Sequence, residues 1–172
     1  MNTRAQALVR RTEPRLRAAV TEDVPALEHF IAAYTGDGTL LPRTRANLLA
    51  HWQDFVVLMD GDELVGCGAL QQLDADLAEV RSVAVLPDRR GHGLGGQIVD
   101  ALVEQAHAAG FPRVFCLTRR VPFFARHGFI VVAKEQFPQK IWNDCRLCPR
   151  QTCCDEVAMQ LDGDSNSPGD GR

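Results

Sequence analysis

Between Ala78 and Ala109 the chain changes character twice, and no other stretch constrains its fold as much. Val80, Val83 and Val85 are β-branched and belong to a strand. The run breaks at Leu86-Pro87 and passes Arg89, Arg90, Gly91, His92, Gly93, Leu94, Gly95 and Gly96. Apolar residues then recur at Ile98, Leu102 and Ala106, with Val99 and Val103 beside them, the spacing of one buried helical face. Four glycines in six residues let backbone N–H groups approach a bound anion with no Cβ in the way. The first turn of the next helix adds unpaired donors and the positive end of its dipole. The stretch therefore predicts a phosphate or pyrophosphate site. It is neither a P-loop, since no Gly-Lys-Ser/Thr follows, nor a dinucleotide fingerprint, since the glycine spacing differs from GxGxxG.

A length of 172 residues with 45% hydrophobic content predicts one domain with a sizeable core. The formal charge of −3 offers no cationic excess and argues against nucleic acid as the main partner. Arg4, Arg10, Arg11, Arg15 and Arg17 crowd the start, but no apolar leader segment follows them. No run approaches the roughly 18 apolar residues of a membrane span. These features predict a soluble, cytoplasmic protein with no membrane partner. Six cysteines without a leader read as thiols or metal ligands rather than disulfides. Cys145, Cys148, Cys153 and Cys154 could close a tetrahedral zinc site, yet adjacent Cys153 and Cys154 are awkward co-ligands and the paired CxxC knuckle is missing. The reading is free thiols and no metal.

In chain order, residues 1–14 carry no periodicity and predict a flexible arm. Leu16 to Val20 suits a first strand, and Thr21-Glu22-Asp23 starts a helix with Val24, Leu27, Ile31 and Tyr34 on one face. Gly36-Asp37-Gly38 ends it. Thr44 caps a second helix whose apolar positions are Leu48, Leu49 and Trp52. Phe55 to Met59 and Leu64 to Leu70 flank the hairpin turn Asp60-Gly61-Asp62, and Asp74-Ala75-Asp76 turns the chain into the strand Leu77 to Leu86. After the central helix come a strand at Val114 to Thr118, a short helix at Pro122 to His127, a strand at Ile130 to Lys134 and a last strand at Glu156 to Leu161. Residues 137–156 form a cysteine-rich insertion, and 162–172 a polar, disordered tail.

The segment Arg90-Gly91-His92-Gly93-Leu94-Gly95, following Val83-Ala84-Val85 and Pro87, closely resembles the pyrophosphate loop of the GNAT acetyltransferases. The element order resembles the same fold from the first strand through Leu161, residues 15–161. The resemblance implies an α/β (α+β) fold: a mixed, mostly antiparallel, twisted sheet with flanking helices, splayed between Val85 and Val114 around acetyl-CoA. It implies Glu79 as general base, often acting through a water. Backbone groups of Val83, Ala84 and Val85 would meet the oxyanion and the pantetheine, and Arg90, Gly91, His92, Gly93, Leu94, Gly95 and Gly96 the phosphates. Arg89 stands beside them. A tyrosine acid is common four residues before the Gly-Phe of the last helix; here that position is Phe124, with His127 the nearest alternative.

Leu41-Pro42-Arg43-Thr44, Glu79 to Val85, Leu117-Thr118-Arg119, Phe123-Phe124 and Gly128-Phe129 together resemble the acetyltransferase domain of bacterial N-acetylglutamate synthases. The resemblance implies acetylation of the α-amine of glutamate, a step of arginine biosynthesis. A dicarboxylic amino acid suits guanidinium forks, so Arg43 and either Arg119 or Arg120 are the candidate carboxylate holders, with Thr118 as neutral donor. Long members carry an amino-acid-kinase-like domain that senses arginine; a chain this short has no room for it, which implies no such feedback site. Asp74 and Asp76 stand where members show a basic residue, so glutamine becomes an alternative acceptor, and Lys140 a substitute contact. Other readings are a GNAT acting on another small amine or peptide N-terminus, and a non-catalytic acyl-CoA- or metal-responsive module. GNAT domains often pair through their sheets, so a homodimer is expected as an option.

Overall fold

The computed structural model describes residues 13–148 and 150–161, so most of the expected arm and all of the expected tail lie outside the described residues. The strands are β1 (Arg15–Ala18), β2 (Phe55–Asp60), β3 (Glu63–Asp74), β4 (Leu77–Val85), β5 (Arg113–Thr118), β6 (Phe129–Val131) and β7 (Val157–Leu161). The described helices are α1 (Val24–Ala32), α2 (Arg45–His51), α3 (Leu94–Ala108), α4 (Val121–Ala125) and α5 (Pro138–Asn143). The strands form one sheet in the order β1-β2-β3-β4-β5-β7-β6. Only β4 and β5 run parallel; every other neighbouring pair is antiparallel, which gives the mixed sheet expected.

Local chemistry explains several element ends. Thr44 accepts the Asn47 N–H at 3.2 Å and starts α2. Asp23 accepts the Val20 N–H at 2.8 Å and a two-pronged contact from Arg17 at 2.6 and 2.8 Å, which ties β1 to α1. Gly61, with φ 62°, turns the β2–β3 hairpin. Val24, Leu27 and Ile31 of α1 are buried as the periodicity predicts, and so is Tyr34, two residues beyond the end of the helix. One expectation needs correction, and one placement could not be read from the sequence. Leu49 is 50% exposed, because the two-turn α2 buries only the face that carries Leu48. The last strand, β7, does not extend the sheet at its edge: it enters between β5 and β6, pairing Thr118 with Val157 on one side and Phe129 with Leu161 on the other. The edge falls to the shorter β6, whose Ile130 and Val131 are exposed.

Helices α1 and α2 cover one face of the sheet through Phe55, Val57, Cys67 and Ala69. Helix α3 covers the other through Val56, Leu58, Val65 and Val80. Gly68 sets how closely α3 lies: a Cβ there would stand 2.5 Å from Ile98 Cγ2 and 2.9 Å from Leu102 Cδ1. A glycine in mid-strand thus brings α3, and the loop before it, down onto the centre of the sheet.

Candidate active site

β4 and β5 pair only at Leu77–Arg113, Ala78–Val114 and Glu79–Phe115. Beyond Glu79 they part. The cause lies in β4: Cys67 of β3 faces Ala84 while Ala69 faces Arg81, so Ser82 and Val83 share Gly68 as partner, and Ser82 adopts φ 55°. A bulge of this kind bends the strand and adds twist. A non-glycine residue in the left-handed region costs on the order of 1 kcal/mol, which the surrounding ladder must offset. A cleft of about 940 Å³ opens in the gap, lined by Glu79 to Val85 on one wall and Leu117 to Arg120 on the other.

The glycine loop closes one end of this cleft through Gly91 and Gly93 to Gly96, with Leu94 and Arg90. Gly91 (φ 82°) and Gly93 (φ 76°) hold conformations that side chains disfavour. Gly95 and Gly96 have another role: Cβ atoms there would meet Phe123 Cζ at 3.4 Å and His127 Cε1 at 2.9 Å, so their bareness seats the α4 region against α3. Leu86 donates its N–H to the Val65 carbonyl at 2.9 Å, and the alternation of the ladder turns the backbone of Val85 the other way. The Val85 carbonyl accepts from Arg90 Nε and from the Tyr34 hydroxyl, each at 3.1 Å. Arg89 points elsewhere, onto Asp60 at 2.7 Å, and pins the loop to the β2–β3 hairpin. His92 lies outside the cleft lining, its Nδ1 2.9 Å from the Arg90 carbonyl.

Glu79 is 2% exposed and stands at the point where the strands separate. Lys140, on α5, approaches its Oε1 at 2.8 Å and its Oε2 at 2.9 Å. The same ammonium donates to Asp144 Oδ2 at 2.7 Å. Arg81 completes the ring, with Nη1 2.7 Å from Asp144 Oδ2, 3.5 Å from Glu79 Oε2 and bonded to Gln71 Oε1. Burial works against the Asp144 charge, but Arg81 and Lys140 hold its carboxyl below the usual carboxylate range. Sequence reading offered Lys140 as a substitute contact to substrate; it missed Asp144, although Lys140 and Asp144 stand one helical turn apart.

Arg43 lies outside the cleft lining but senses the same charges. Its Nη1 donates to Asn47 Oδ1 at 3.0 Å and its guanidinium lies 5.7 Å from the Phe55 ring centroid. Among the described residues no carboxylate comes within ion-pair distance of it. Burial, and after it the neighbouring charge of Arg81, push its pKa down to about 10. The Arg43 position is therefore short of negative charge. On the opposite wall Thr118 is buried and its Oγ1 accepts the Arg120 N–H at 2.8 Å. Arg119 reaches the Gly38 carbonyl and Asp155, and the Arg120 residue is exposed. Thus Glu79, Thr118, Arg119 and Arg120 share one cleft.

Phe124 is buried edge-on to Phe123 and Phe129, and it too lines the cleft. His127 is paired with Asp100 at 2.7 Å and stands outside the lining. The insertion is docked at three points: Phe137 stacks on Phe115 at 3.9 Å, Gln139 donates to Asp74 at 3.1 Å, and Lys140 and Asp144 join Glu79 and Arg81. Asp74, where a basic residue was expected, thus anchors α5. Cys145, Cys148 and Cys154 line the cleft beside it. Among the described residues no three His, Cys, Asp or Glu are arranged to hold a metal ion. Among them, too, no helix is long and apolar enough to cross a membrane.

A sheet splayed at a bulged central strand, with a glycine turn and helix N-terminus closing the gap, defines an acetyltransferase site, and residues 16–129 match the acetyltransferase (GNAT) family. The chain belongs to that family. It is 38% identical over 144 residues to an uncharacterized N-acetyltransferase of Chlorobaculum tepidum, covering 84% of this chain and 93% of that one. It is 40% identical over 137 residues to an amino-acid acetyltransferase of Mycobacterium tuberculosis, covering 77% and 78%. A Mycobacterium tuberculosis protein solved in complex with CoA and NLQ superposes with a TM-score of 0.73 at 36% identity, over 86% of this chain and 98% of that chain. The N-acetylglutamate synthase of Neisseria gonorrhoeae, solved with coenzyme A and N-acetyl-glutamate, gives 0.76 at 26% identity, over 88% of this chain and 36% of that chain.

Proposed function

We propose that this chain transfers an acetyl group from acetyl-CoA to the α-amine of a free amino acid, glutamate or glutamine. The observation that carries the reading is Arg43: a guanidinium short of negative charge, within the field of Glu79, the one carboxylate at the fork of the strands. A carboxylate-bearing acceptor satisfies Arg43 while its amine meets Glu79. Arg119 or Arg120 is then available to the acceptor's side chain, with Thr118 beside it. The names of the similar proteins support an amino-acid acceptor, and in this chain the step would belong to the entry into arginine synthesis.

Acetyl-CoA fits the gap with its pyrophosphate against Gly91 to Gly96 and its pantetheine along Val83 to Val85. An α-amine is mostly protonated near neutral pH, so it must first lose a proton, which Glu79 takes directly or through water. The amine nitrogen then attacks the thioester carbonyl carbon, N–H groups of the bulged Val83 to Val85 segment meet the oxyanion, and the C–S bond breaks as the oxyanion collapses. The thiolate leaves with no tyrosine at position 124; its modest proton affinity permits departure, and the second proton that the nitrogen sheds as the amide forms passes through water to the sulfur.

The test is thiol release from acetyl-CoA against glutamate, glutamine, aspartate, lysine and a polyamine, with Arg43→Ala alongside. Turnover with glutamate or glutamine, and a KM raised roughly 10- to 100-fold in the variant, is the expected result. Turnover with lysine or polyamine alone would overturn the acceptor assignment and leave the acetyltransferase standing.

A further inference from the structure

The ammonium of Lys140 is fully committed in the structure: two contacts go to the oxygens of Glu79 and one to Asp144. Both side chains of the Lys140–Glu79 pair are almost completely buried, and both line the cleft. An acceptor amine that approaches Glu79 must therefore replace Lys140 on at least one carboxylate oxygen. That leaves a buried ammonium with part of its partners gone, which is costly in a low-dielectric site. Arg81 and Lys140 already share the two carboxylates of this ring, Glu79 and Asp144, and the charge of Arg43 adds to theirs from outside it. Asp54 also acts on Arg43, but it is engaged by His51 at 3.5 Å.

We propose that Lys140 selects zwitterionic acceptors by ion exchange. The inference rests on the amino-acid reading above and assigns the group that enforces it. In an α-amino acid the ammonium and the carboxylate are one carbon apart, so both reach the pair together. The ammonium takes Glu79, and the α-carboxylate takes the released Lys140 and completes the charge of Arg43. Two ion pairs replace one, and no buried charge is left alone. A simple amine supplies only the first half: it breaks the pair and leaves Lys140 with Asp144 alone. The cysteine-rich insertion, through α5, is then a specificity element of the acceptor site. The acceptor's side chain extends past this ring toward Arg119 and Arg120.

The experiment compares kcat/KM for glutamine against 4-aminobutanamide, and for glutamate against 4-aminobutanoate, acceptors that differ by the α-carboxylate alone. Each pair is measured with the unaltered enzyme, Lys140→Gln and Lys140→Arg. Lys140→Gln keeps an N–H for Glu79 and loses the charge; acetyl-CoA binding by titration reports that each variant is folded. The unaltered enzyme is expected to favour the α-amino acid by at least roughly 100-fold, two ion contacts being at stake. Lys140→Gln is expected to lose most of that preference, chiefly through a raised KM for the amino acid, and Lys140→Arg to recover part of it. An enzyme that acetylates amino acids and keeps its full preference in Lys140→Gln overturns this inference alone. One that acetylates none of them overturns the amino-acid reading, and this inference with it.

Discussion

Glu79 occupies the last position at which β4 and β5 still pair, so its side chain is held by an intact ladder on one side and opens onto the cleft on the other. Replacing it with glutamine keeps the shape and removes the base. Glu79→Gln is expected to lower kcat by about 10²- to 10⁴-fold while acetyl-CoA still binds, which titration calorimetry beside a turnover assay would check. Asp23 serves the opposite purpose, stability without chemistry. The Arg17 guanidinium and the Val20 N–H hold its carboxyl below its ordinary value against the effect of burial. A folded-state pKa that is depressed means stability present in full above the unfolded value, near 4, and lost as pH falls through the lower folded value. Asp23→Asn is therefore expected to lower the melting temperature at neutral pH, and the difference from the unaltered protein should shrink as the pH is taken below about 4. A difference that stays constant through that range would show that the Asp23 charge contributes nothing.

Elements rather than residues decide how the insertion is held. Phe137 has no exposed surface and stacks on Phe115, itself fully buried in β5. Phe137→Ala is expected to cost roughly 3–5 kcal/mol, read from denaturant unfolding, because a rigid strand ring cannot collapse into the space. Gly68→Ala tests the other face: its methyl group would press on Ile98 and Leu102, both on the buried side of α3. A loss of about 1–3 kcal/mol is expected from that overpacking. Features encoded by neighbours along the chain were legible in the sequence. The α1 face, the Thr44 cap, the Asp60-Gly61-Asp62 turn and the glycine loop each depend on a few adjacent residues. The position of β7 was not legible, since a short apolar strand says nothing of which two strands it will separate. Glu79 could be read from its place before the glycine loop. Its partner Lys140 lies 61 residues away, and only the folded sheet brings α5 over it.

At the scale of the molecule, the cleft divides the sheet. Strands β1 to β4 and strands β5 to β7 are joined by three register pairs and then separate, with α3 crossing from one group to the other. A ligand lying in the gap contacts both groups, so it stabilises the folded chain by mass action and does so at a defined place. With acetyl-CoA at about 100 times its Kd, the gain is ~2.7 kcal/mol. For a chain of this size that corresponds to a rise in melting temperature of roughly 5–10 °C. Any tight ligand would give such a rise; the location of the protection separates the cleft from other sites. Hydrogen exchange should slow at the amides of Val83 and Val85 and in the first turn of α3 at Leu94 to Gly96, while β1, at the far edge of the sheet, changes little. Val85 is the decisive position, because the ladder pairs the N–H of its neighbour Leu86 with β3 and by alternation turns the Val85 amide toward the cleft. Protection confined to β1 would put the cofactor elsewhere and overturn the assignment of the splayed gap.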